Sequence, residues 1–158
     1  MTEIRAVGDF NLATAEIITS AGAKINIESN IVQMDLFEDI ESNSLAGEIL
    51  LQDSAGFVSE GPIIGQEYLR LKIQTPSLRD EDDIIDFTEN VFVINSVQGR
   101  AETGNNVSVY LLVFSSSEIL KNQRTRVNGS LTGTYSDIVK QMMDQVNCQK
   151  KIYIEPTK

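Results

Sequence analysis
The chain has 158 residues, 13 of them basic and 23 acidic, with no His, no Trp, one Cys and a net charge of −10. That length suits one domain, or one domain with the beginning of another, and a lone Cys148, no signal-like apolar opening and no apolar run near the roughly 18 residues of a membrane span predict a soluble protein folding in a reducing cytoplasm. The acid excess argues against tight nucleic-acid binding, which rests on Lys and Arg neutralising phosphate, and it suits a surface that DNA slides past without sticking.

In chain order, residues 1–12 show no sustained period and read as a loose arm. Short strand candidates at 15–19 and 24–27 flank Ala21-Gly22. The stretch 31–53, IVQMDLFEDIESNSLAGEILLQD, carries the clearest pattern. Val32, Met34 and Leu36 alternate with Gln33 and Asp35, and Leu45, Gly47, Ile49 and Leu51 alternate with Ala46, Glu48 and Gln52. This is the period of strands buried on one face, and Glu41-Ser42-Asn43 between them is turn chemistry. A long hairpin follows, with one apolar face and one acidic, amide-rich face. It is too weak to stand alone and requires further strands or a neighbouring subunit.

Gly56, Gly61, Pro62 and Gly65 make the next segment a loop. Residues 67–74 resume the alternation, Leu69, Leu71 and Ile73 against Tyr68, Arg70 and Lys72, until Pro76 ends it. A charge cluster at 79–83 precedes a strand at 91–97, a polar turn at 99–106 and a strand at 107–114. That last strand is apolar on both faces, Val107, Val109, Leu111 and Val113 on one and Tyr110, Leu112 and Phe114 on the other, which places it mid-structure or against a partner chain.

The period then becomes helical. Ser115 and Glu118 have capping-box spacing ahead of Ile119-Leu120, and Thr134 with Asp137 repeats it before Ile138, Val139, Met142, Met143 and Val146 on one helical face, read as core. Residues 150–155 look like another strand, with nothing after it to pack on, so the chain reads as the N-terminal part of a longer protein. The fold expected is mainly β, an antiparallel barrel with one helix packed on it and a second near the C-terminus. The organisation expected is an arm at 1–12, a β domain at 13–127, and a helix and strand at 128–158 leading onward.

Without His, the Ser-His-Asp and Cys-His arrangements and the usual zinc sites are excluded, and no Gly-rich loop with Lys-Ser/Thr cradles a phosphate. Carboxylates remain. Asp80, Glu81, Asp82 and Asp83 lack the spacing of a calcium loop and read as solvated. Asp35 and Glu48 would face each other across the hairpin as a glycosidase dyad does, though acidic pairs on an open sheet are more often solvated. The glycosylation patterns at Asn106 and Asn128 mean little without a secretory signal. No cofactor is expected. Two alternatives stand beside a structural role: a β-sandwich that binds carbohydrate or peptide, against which six per cent aromatic residues and no Trp weigh, and a carboxylate hydrolase.

The ordered set IVQMDLFEDIESNSLAGEILLQD, GQEYLRLKI, FVINSV, VYLLVFSSSEILKN and TYSDIVKQMM, over about residues 13–146, resembles the N-terminal region of the central baseplate hub protein of T-even-like contractile-tailed phages. The resemblance implies a tube domain, a β-barrel whose copies pack around a pore through which the genome leaves, in a hub that joins tail tube to spike. It implies a virion protein made in the host cytoplasm, and an assembly that is trimeric with two tube domains per chain or hexameric with one. This chain departs from the family in having one such unit and no internal repeat. Under this reading the pore wall is formed by Gln33, Asp35, Glu48 and Gln52, repelling DNA. Lateral neighbours would cover Tyr110, Leu112 and Phe114, and Arg124 and Arg126 would meet an acidic surface on the adjacent subunit.

Overall fold
The computed structural model describes residues 10–42, 44–57, 63–74, 84–104, 107–148 and 151–158. The expectations for residues 1–9, Asn43, Gly61, Pro62, Pro76, the 79–83 cluster, Asn106 and Lys150 lie outside the described residues. Eight strands form one antiparallel sheet: β1 (Asn11–Ile18), β2 (Lys24–Asn26), β3 (Ile31–Phe37), β4 (Ala46–Asp53), β5 (Tyr68–Gln74), β6 (Ile84–Asp86), β7 (Phe92–Glu102) and β8 (Ser108–Ser116). Their spatial order is β2-β1-β5-β7-β8-β4-β3, with β6 added to β5. Two helices follow, α1 (Glu118–Arg124) and α2 (Tyr135–Gln145). The chain forms two compact units, 1–116 and 117–158, with α1 and α2 in the second.

The 31–53 hairpin forms as its alternation requires. Asp35 stands opposite Glu48 and Leu36 opposite Gly47, while Gly47, Ile49, Leu51 and Asp53 of β4 are all buried. A bulge between Ile31 and Gln33 departs from the simple period. The extra residue lets Ile31 pack on the core in phase with Met34 and Leu36 and leaves Val32 exposed.

Strand β8 lies in the interior of the sheet, between β7 and β4. Tyr110, Leu112 and Phe114 sit opposite Leu51, Ile49 and Gly47 and are at most 1 % exposed. The expectation that these three side chains meet a neighbouring subunit is therefore corrected: they are core, each holding roughly 1.5–3 kcal/mol of burial. The outward residues of β8 are Val109, Leu111 and Val113, which are half-buried. Gly47 is required by space, because a Cβ there would run into the Phe114 ring and stand 2.7 Å from the Asp35 carbonyl oxygen. Phe114 in turn packs edge-on to Phe92 at 4.9 Å, and Phe92 meets Phe87 at 4.7 Å.

The strands at the two ends of the spatial order, β2 and β3, are consecutive in sequence and joined by a 3₁₀ turn at Glu28–Asn30. Beside that turn Ile27 is buried, and its N–H donates to the Ala15 carbonyl of β1 at 2.9 Å. On the other side, the Asn30 amide donates to the Gln52 carbonyl of β4 at 2.9 Å. Among the described residues no strand pairing joins β2 to β3, so the sheet is not closed.

Elsewhere the structure lengthens or moves what the sequence suggests. Strand β1 takes in Asn11 and Leu12, which read as arm, because they pair with Gln74 and Ile73. Strand β7 runs through Gly99 to Glu102, where a turn is expected, by absorbing register shifts at 94/96 and 98/101. The Ser115–Glu118 capping box does not form: Ser115 belongs to β8 and bonds Asn95, and α1 starts after Ser117 with no side-chain cap. The Thr134–Asp137 box does form, with both reciprocal bonds present. Val139, Met142 and Met143 of α2 are about 40 % exposed rather than core. Residues 151–158 contain no strand, and Thr157 exchanges hydrogen bonds with Ser136 in the first turn of α2 at 2.8 and 3.3 Å.

Candidate functional site
The sheet brings Gln33, Asp35, Glu48 and Gln52 onto one face, opposite to the core. Glu48, Leu50 and Gln52 share parity on β4; Asp35 stands across from Glu48, and Gln33 across from Leu50. Gln33 and Gln52 are exposed, Asp35 and Glu48 half-buried. The Gln33 amide donates to the Asp35 carboxylate at 2.7 Å. On the same face the next strand presents Val113, Leu111 and Val109 beside Glu48, Leu50 and Gln52.

The electrostatics of this face contrast with those of the other half of the sheet. On β1, β5 and β6, cross-strand charges are complementary: Arg70 pairs with Glu16 at 3.0 Å and Lys72 with Asp86 at 3.0 Å. On β3 and β4 two like charges are opposed, an arrangement that destabilises a sheet by a few tenths of a kcal/mol to about 1 kcal/mol. Among the described residues neither Asp35 nor Glu48 takes part in an ion pair. Arg124, in the last turn of α1, and Arg126 just beyond it are exposed in the C-terminal unit.

Two buried carboxylates, Asp53 and Glu67, lie on the opposite, inner side, and neither is among the site residues expected from sequence. Asp53 accepts from the N–H groups of Ala55 and Gly56 at 3.0 and 2.7 Å and from the Tyr110 hydroxyl at 3.2 Å. Burial first, and then the Asp53 charge, pushes the Tyr110 phenol far above its ordinary range. Glu67, 1 % exposed, accepts from three successive N–H groups, those of Ile64, Gly65 and Gln66, at 2.9–3.1 Å. Every carboxylate oxygen is thus occupied by the protein itself, and the chemistry of these two acids is to pin the chain at either end of the segment between β4 and β5.

Among the described residues no group of three or more Cys, Asp or Glu side chains could hold a metal ion, and no helix is long and apolar enough to cross a membrane. No protein-family model matches the chain, and no curated protein matches it significantly.

Proposed function
We propose that the chain is a structural subunit of a phage tail baseplate hub, in which its sheet rolls into a tube-like barrel and copies of it surround the DNA conduit between tail tube and spike. The observation that carries this reading is the β3–β4 outer face, where Gln33, Asp35, Glu48 and Gln52 stand together with two opposed carboxylates and no paired cation among the described residues. An acidic, amide-lined wall repels phosphate and lets a duplex pass without adhering. Support for the barrel comes from the connection between β2 and β3, where Ile27, just before the 3₁₀ turn, is bonded to β1 and Asn30, within it, to β4. The order of sequence segments that resembles the hub family adds the assembly, and in it Arg124 and Arg126 are offered to an acidic neighbour.

Light scattering on this chain across a wide concentration range tests the proposal. A concentration-dependent trimer or hexamer is expected. A mass that stays monomeric throughout, or a closed dimer, would overturn the ring.

A further inference from the structure
We draw no further inference here: the strongest candidate, the half-buried aliphatic stripe of Leu50, Val109, Leu111 and Val113 on the outer face of β4 and β8, carries nothing because nothing in the structure shows what covers it.

Discussion

At the scale of single residues, the inward-facing acids are the most exacting feature of the fold. Glu67 offers its two carboxyl oxygens to three backbone donors in a buried site. A Gln there keeps the shape, but with its oxygen in the place of Oε2, which accepts from all three N–H groups, its NH2 replaces Oε1 and faces the Ile64 N–H. Glu67→Gln is therefore expected to cost roughly 1–3 kcal/mol, read as a lower urea midpoint, since a buried N–H then faces a donor instead of an acceptor. A loss below about 0.5 kcal/mol would mean that water or backbone adjustment satisfies those groups instead. Both acids were half legible in the sequence. Asp53 is in phase with Ile49 and Leu51, and Glu67 with Leu69 and Leu71, so parity alone points them inward. Pattern reading lets the polarity of a residue override its parity, and it has no way to see that neighbouring N–H groups would supply the compensation.

At the scale of elements, alternation made β3, β4, β5 and β8 readable, because a strand with one buried face writes its period into the sequence. Where both faces are apolar, as on β8, that signal vanishes. The choice between Tyr110, Leu112 and Phe114 and their neighbours Val109, Leu111 and Val113 then rests on register with β4, which is a long-range fact. Bulges defeat the method in the same way, moving Val32 outward and carrying β7 past Gly99. The β3–β4 face was legible as a set of four polar residues, but the direct opposition of Asp35 and Glu48 was only one possible register. Asp35→Lys converts that like-charged pair into an opposite one of the kind found between β1 and β5. It is expected to raise stability by about 0.5–1 kcal/mol, seen as a higher urea midpoint with unchanged m-value. An unchanged or lower midpoint would show that the two carboxylates do not strain the hairpin.

A second element, the β5–β6 pair, sets an acid sensitivity. The Thr88 hydroxyl and N–H, at 2.7 and 2.9 Å, and then Lys72, hold the Asp86 carboxyl at about 2, below its ordinary 3.8. The folded chain thus binds fewer protons than the unfolded one between those values. The stabilisation is complete above pH 3.8 and is lost as pH falls through about 2. Between about pH 4.5 and 2 the melting temperature of Asp86→Asn should fall less steeply than that of the parent. Parallel curves would remove Asp86 as a contributor.

At the scale of the whole molecule, the net charge of −10 decides how copies approach one another. Chains of like charge repel at long range, and at about 10 mM salt the screening length is about 30 Å, comparable to the size of a small domain, so association is opposed before any surface meets. At about 1 M salt that length shrinks to about 3 Å and only contact forces remain. If assembly is driven by burial of half-exposed aliphatic surface such as Leu111 and Val113, the mass measured by light scattering should rise with salt at fixed concentration. If Arg124 and Arg126 of one copy instead grip carboxylates of the next, salt should lower the mass. Charge reversal at both arginines separates the two cases: it would abolish a salt-sensitive oligomer and leave a salt-promoted one in place. A mass independent of salt, concentration and this substitution would mean that copies of the chain do not assemble through either surface, and the conduit would lose its wall.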